Sequence, residues 1–299
     1  MSLRLEMLQV ARLAPKMLGD AAGLVERFFL SQLLKSGGFA DRSGQPDLYY
    51  TVFGLEGLMA LSCDVSHAST RDYLRSFQDG GGMDFVHLCC LARSWATLGS
   101  GGPDWKMPGK WREAMAERIL GFRSADGGFH PNVRSASGTA YAAFLAVGAL
   151  QDLGVPLPDP EGQLGSLERL RTVDGAWANE VGIPVGATNS SAAVIAIQRQ
   201  LGQAGLNPSA ADWIQAQVHP MGGFRAMPQA PIPDLLSTAT ALHALAALEK
   251  SIADIQEGCL DFVDTLWTNE GGFHGHWHED HLDCEYTYYG LLALGHLSL

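Results

Sequence analysis

Between His274 and Glu285 the chain carries four imidazoles (His274, His276, His278, His281) and four carboxylates (Glu279, Asp280, Asp283, Glu285). These side chains ligate divalent cations and move protons near neutral pH. Two chemistries are therefore open to the segment. Asp283, Glu285, His276, His278 and His281 are candidate ligands for a divalent metal, Zn or Mg, and the carboxylates are candidate acids and bases. A third reading needs no ligand: Asp280 and Asp283 cap a helix while the imidazoles pair with them or face water. Capping also explains Asp47, Asp84 and Asp234, which recur at equivalent places. Glu285 escapes that explanation, because a carboxylate just past a cap that faces a cavity costs desolvation unless a cation, a metal or a proton offsets it. It is the foremost acid–base candidate, with Asp283, Asp47 and His87 beside it. An imidazole on an otherwise apolar helix is commonly a satisfied core group, which applies to His87 and more strongly to His243.

The elements that must position these groups are repetitive. A glycine pair followed by an aromatic occurs as Gly37-Gly38-Phe39, Gly127-Gly128-Phe129, Gly222-Gly223-Phe224 and Gly271-Gly272-Phe273, with altered copies at Gly80-Gly81-Gly82-Met83 and Gly175-Ala176-Trp177. The period of roughly 47 residues is one helical hairpin per repeat, six in all. The first helix of each hairpin is amphipathic, as in Trp111, Met115, Ile119 and Phe122, and belongs on the outside. Asn207 and Pro208 read as an N-cap and first-turn proline of one such helix. The glycine pair is expected to end it as a left-handed C-cap.

The second helix of each hairpin is rich in Gly and Ala and apolar all round, as in residues 51–61, 139–150, 238–248 and 287–297. Interior glycines cost about 1 kcal/mol each relative to alanine, so close packing must require them. Such helices form an inner ring. The last repeat ends in an apolar helix instead of a polar cap, so repeat six is expected to close onto repeat one. The expectation is an all-α fold, an α/α toroid or α6/α6 barrel of six hairpins around a central cavity, over residues 19–299. An amphipathic N-terminal helix precedes it within residues 1–18.

Gly37-Gly38-Phe39-Ala40-Asp41-Arg42 followed by Asp47-Leu48-Tyr49-Tyr50-Thr51-Val52-Phe53-Gly54 resembles a repeat of the protein prenyltransferase β subunits, that of Rab geranylgeranyltransferase above all. The likeness extends to the terpenoid cyclases and, more weakly, over all six repeats. It implies a cavity for an isoprenoid chain, a catalytic zinc and a cationic diphosphate cradle on one rim. The family's zinc ligands are an Asp and a Cys two residues apart, with a His from the next repeat. Alignment of the six inner-helix starts takes Asp47, Asp84, Ala136, Ala187, Asp234 and Asp283 as the first position. No adjacent pair of repeats then supplies the triad: Asp47 and His87 come with Tyr49 in place of Cys, and Asp283 and Glu285 come with Tyr50 in place of His. Of the cradle, Arg42 keeps its charge, while His276 and Glu279 stand where cations belong. The cyclases' Asp-x-Asp-Asp motif does not occur.

The remaining sequence features bound the function. Hydrophobic residues make up 46% and charged residues 17%, which suits a large buried interior. A formal charge of -12 argues against nucleic-acid partners, which need clustered Lys and Arg. Five cysteines without metal-ribbon or redox spacing, and no signal-peptide core, lead to the expectation of a reduced cytoplasmic protein. No apolar run is long enough to span a membrane. Tyr49, Tyr50, Phe53, Tyr286, Tyr288 and Tyr289 concentrate aromatics in the two repeats that closure makes neighbours, which fits core packing or a wall for an unsaturated chain. The leading expectation is thus an enzyme of prenyltransferase or cyclase type that holds an isoprenoid in its barrel, with Arg42, Tyr49, Tyr50, Tyr286 and His276 as substrate contacts. The alternatives are a barrel that binds a lipid or protein without catalysis, and a six-hairpin glycosidase with paired carboxylates. A helical partner subunit on another chain is left open.

Overall fold

The computed structural model describes residues 2–203 and 208–299, so the Asn207 cap lies outside the described residues. Helix α1 (Leu3–Ala11) and the single turn α2 (Pro15–Leu18) precede six hairpins. These are α3 (Ala22–Gln32) with α4 (Leu48–Ala60), α5 (Ala68–Ser76) with α6 (Phe85–Leu98), and α7 (Gly109–Leu120) with α8 (Ala140–Asp152). They continue as α9 (Pro160–Glu168) with α10 (Thr188–Gln200), α11 (Pro208–Gln215) with α12 (Leu235–Ala247), and α13 (Gln256–Thr265) with α14 (Cys284–Leu297). The even-numbered helices from α4 to α14 pack side by side in chain order, and α14 returns to pack on α4, which closes the inner ring. The outer layer closes too. Gly271 of repeat six lies so near α3 that a β-carbon there would sit 2.3 Å from the Leu24 carbonyl oxygen. None of the described helices is long and apolar enough to cross a membrane.

The repeated phrase has a mechanical role. The first glycine of each pair takes positive φ, as at Gly37 (φ 95) and Gly271 (φ 91). It does so in a tight turn several residues beyond the outer helix, and not as that helix's C-cap. The turn sends the chain back so that the aromatic bridges the residue six before it, Leu33 with Phe39 and Trp267 with Phe273. The aromatic rings at 39, 129, 224 and 273, and that of Trp177, are buried behind the inner helices. In four of them a hydroxyl satisfies the backbone N–H: Phe39 N donates to Thr51 Oγ1, Phe224 N to Thr238 Oγ1, Phe273 N to Thr287 Oγ1 and Trp177 N to Ser191 Oγ. Inner glycines give these rings room, since a β-carbon at Gly54 would lie 2.1 Å from the Phe39 ring and one at Gly290 2.7 Å from the Phe273 ring.

Inner helices begin earlier than the Gly/Ala composition suggests, because aspartates cap them. Asp47, Asp84, Asp234 and Asp283 each accept a backbone N–H of the first turn. In repeat three the cap is Thr139, which accepts from Ala142 N. The alignment that places Ala136 there is therefore three residues out: Thr139 lies twelve residues beyond the turn glycine Gly127, as Asp234 does beyond Gly222 and Asp283 beyond Gly271, but the cap there is a hydroxyl in place of the aspartate that marks the others.

Helix α1 seals one end of the ring. It packs on α4, α8, α10 and α14, at their C-terminal ends. Leu3 N donates to Gln151 Oε1 (2.9 Å), and Arg4 Nε pairs with Asp152 Oδ1 (2.9 Å). Val10's carbonyl oxygen rests against Gly295, where a β-carbon would lie 2.1 Å from it.

Candidate functional site

Inside the ring is a cavity of about 170 Å³. Counting from each N-cap, its wall is built mainly from residues two, six and nine places on, the spacing that keeps side chains on one face of a helix, with Phe144, Ser190 and Ala192 filling in beside them. The mouth layer holds Tyr49, Tyr141, Asn189, Leu236 and Glu285; the middle layer includes Phe53, Leu145, Thr240 and Tyr289; the inner layer includes Arg93, Ala196 and His243, with Met7 of α1 as the floor. The rings of Tyr49 and Phe53 lie 5.1 Å apart and those of Phe53 and Tyr289 5.5 Å, a continuous aromatic wall. Tyr288 turns the other way into the core, fully buried. Tyr141 is a cavity residue that the misplaced register of repeat three conceals, and alignment on Thr139 recovers it.

Glu285 is the acidic group of the mouth layer. Burial pushes its carboxyl up to about 7; the hydrogen bond from Tyr49 and the charge of Arg42 act against that, and Asp283 adds to it. Tyr49 Oη donates to Oε1 at 2.6 Å. Near neutral pH the group is poised between acid and carboxylate, which is the condition for proton transfer.

Around this mouth the other candidates form two clusters. At the seam of repeats six and one, Arg42 donates to Asp283 Oδ2 (3.0 Å) and Glu279 Oε2 (3.1 Å), and its guanidinium lies 5.4 Å from the centre of the Tyr286 ring. Burial raises the pKa of Asp283 despite Arg42 and the Tyr286 N–H, and raises that of Tyr50 beside them to about 12. At the seam of repeats one and two, His87 bridges two caps, with Nδ1 2.6 Å from Asp84 Oδ2 and Nε2 3.2 Å from Asp47 Oδ2. Burial opposes its charge, but the bonds to Asp84 and Asp47 win and its pKa rises. Closure thus gathers Asp283, Glu285, Arg42, Tyr49 and Tyr286 from opposite ends of the chain, with Asp47 and His87 one seam away. His276 stands apart from this group, close to Asp234 on the repeat-five side.

A model of the prenyltransferase alpha-alpha toroid domain matches residues 16–75 and 190–298. The chain belongs to that family. Among solved structures this toroid is similar to a protein from Actinoplanes, at 15% identity over 94% of this chain and 99% of that one, TM-score 0.64. It is similar to the type II terpene cyclase MstE from Scytonema in complex with geranylgeranyl dihydroxybenzoate, at 12% identity over 95% and 97%, TM-score 0.62. Candida albicans protein geranylgeranyltransferase-I complexed with GGPP matches at 12% identity over 88% and 72%, TM-score 0.51. No curated protein matches the sequence.

The prenyltransferase zinc does not fit the residues this toroid offers. Asp47 spends Oδ1 on the backbone N–H groups of Tyr49 and Tyr50 and Oδ2 on His87, and Tyr49, in the thiolate's place, is committed to Glu285. In repeat six Asp283 caps α14 and holds Arg42. His276 Nδ1 accepts from the His278 N–H, and His281 Nδ1 lies 3.2 Å from Glu279 Oε1. The five candidate ligands therefore do not converge, and among the described residues no three His, Cys, Asp or Glu side chains are placed to hold a metal ion.

Proposed function

We propose that this toroid binds an isoprenoid chain in its aromatic-walled cavity and that Glu285 donates a proton to a double bond of it. One observation carries the reading: a carboxyl pushed up to about 7 stands in the wall of that cavity. In the reaction the Glu285 O–H bond breaks and a C–H bond forms at one alkene carbon, leaving a carbocation and a carboxylate. Tyr49's O–H on Oε1 steadies the carboxylate, and the faces of Tyr49, Phe53 and Tyr289 steady the cation. After migration or ring closure a C–H bond beside the cationic carbon breaks to give an alkene, its proton passes to solvent water, and Glu285 is reprotonated from solvent.

Ionisation of a diphosphate is less well supported, because Arg42 is the rim's inherited cation and both Glu279 and Asp283 already engage it. A glycosidase pair finds no support either: Asp283, the nearest second carboxylate, is buried under Arg42 and is not part of the cavity wall. Incubation with geranylgeranyl and farnesyl compounds in D2O tests the reading. Deuterium incorporation by the wild type and none by Glu285→Gln, with binding retained, is the expected result. Unchanged incorporation by the variant would sink it.

A further inference from the structure

The cavity has a charged group at its inner end as well as an acid at its mouth. Arg93 belongs to the inner layer, seven residues deeper along its helix than the layer of Glu285, which at 1.5 Å per residue is about 10 Å. Its Nε and Nη2 donate side-on to Glu56 Oε1 (2.5 Å) and Oε2 (2.6 Å). The Glu56 side chain is wholly buried, whereas that of Arg93 keeps 17% exposure and lines the cavity and the recess beside it. A guanidinium gripped through Nε and Nη2 leaves Nη1, with two N–H groups, on its free side. Phe53, Phe144, Leu145 and Met7 share this part of the wall and offer no side-chain oxygen, and Asp152, which shares the adjoining recess with Arg93, is bonded through Oδ1 to Arg4, while its Oδ2 has no hydrogen-bond partner.

We propose that Arg93 is the inner anchor of the ligand and that the ligand carries there a neutral oxygen acceptor: a hydroxyl, carbonyl or ether oxygen. A plain hydrocarbon would leave the two N–H groups facing an apolar chain, at the cost of unpaired buried donors. A carboxylate or phosphate is the wrong partner, because Glu56 already neutralises Arg93 and a second anion would lie uncompensated in a dry site. The ligand is therefore an oxygenated isoprenoid with its oxygen deep and a double bond about 10 Å nearer the mouth, beside Glu285. This inference rests on the isoprenoid reading of the cavity.

Binding of farnesol, farnesene and farnesoic acid at pH 8, followed by tryptophan fluorescence, tests it. Wild type is expected to bind the alcohol about tenfold more tightly than the hydrocarbon, and more tightly than the acid. In Glu56→Gln, which removes the carboxylate that Arg93 grips and leaves Asp152 paired with Arg4, the acid is expected to gain at least about tenfold relative to the alcohol. In the double variant Glu56→Gln/Arg93→Met the alcohol and the hydrocarbon are expected to bind alike, with the hydrocarbon's affinity unchanged. An alcohol preference absent from wild type or surviving in the double variant, or no gain for the acid in Glu56→Gln, overturns the anchor while the isoprenoid reading stands. Failure of wild type to bind any of the three overturns both.

Discussion

At the scale of single residues, Glu285 and Asp283 are neighbouring carboxylates with different tasks. Glu285 has a folded-state pKa of about 7, above its ordinary 4.5, so folding disfavours its ionised form. That penalty is absent below about pH 4, grows between the two values and is complete above about pH 7. Glu285→Gln removes it. The variant is expected to melt at the wild-type temperature at pH 4 and higher at pH 8, by at most about 3 kcal/mol, with turnover lost at both. A lower melting temperature with ligand binding and turnover intact would show a structural network in place of an acid. Asp283 is only 3% exposed and relies on Arg42. Arg42→Ala should therefore destabilise by about 2 kcal/mol in calorimetry at pH 8, while Asp283→Asn, which keeps the shape of the cap, should cost less. Glu285 was legible in the sequence because it lies two places past an aspartate cap, where capping cannot account for it. Arg93 and Glu56 were not, since the pair is visible only when two adjacent repeats are aligned on their caps and both fall nine places on.

At the scale of helices, the repeat phrase was readable because each part has a physical reason to recur. A turn glycine must reach positive φ, a buried ring must have its backbone N–H satisfied, and a small residue must make room for the ring. What could not be read is which ring meets which glycine. Phe39 lies over Gly54 and Phe273 over Gly290, the same pairing in repeats one and six, whereas Gly57 meets Phe29 from the outer helix α3. These contacts answer why inner helices tolerate residues that weaken a helix. Gly54→Ala and Gly290→Ala would gain about 1 kcal/mol in helix propensity and lose more, because the added carbon would stand well inside contact distance of a fully packed ring. The net expectation in denaturant titration is a loss of about 1–3 kcal/mol each. Gly109→Ala, at the start of α7 with nothing near its β-carbon, is the control and should be neutral or stabilising. Helix starts were less legible than helix existence: a threonine cap where four other repeats carry an aspartate displaced repeat three by about one turn and hid Tyr141.

At the scale of the whole molecule, the toroid closes twice, side to side where α14 meets α4 and end-on where α1 lies across the C-termini of the inner helices. Lateral closure could be inferred from six equal repeats whose inner helices are apolar all round. Closure by α1 could not, because a short amphipathic segment carries no information about which surface its apolar face will cover. The contact that holds it is ionic as well as apolar: Leu3, Met7, Leu8 and Ala11 are buried, and Arg4 pairs with Asp152, whose side chain is 2% exposed. Burial raises the Asp152 carboxyl to about 6 even with Arg4 and Arg93 pulling it down. The fold thus already pays for ionising Asp152 above that pH, and below about pH 4 the carboxyl is neutral in both states and the cost vanishes. Arg4→Met keeps the apolar packing of α1 but removes one of the cations, which lifts the Asp152 pKa further and widens the window in which its charge is penalised. The variant is expected to lose about 1 kcal/mol or less at pH 4–5, and about 2–3 kcal/mol at pH 8, in thermal unfolding. Arg4→Met/Asp152→Asn, which removes the charge with its partner, should restore most of the loss and flatten the pH dependence. If Arg4→Met loses the same stability at pH 4 and pH 8, the plug is held by its apolar face alone and the ion pair does not contribute.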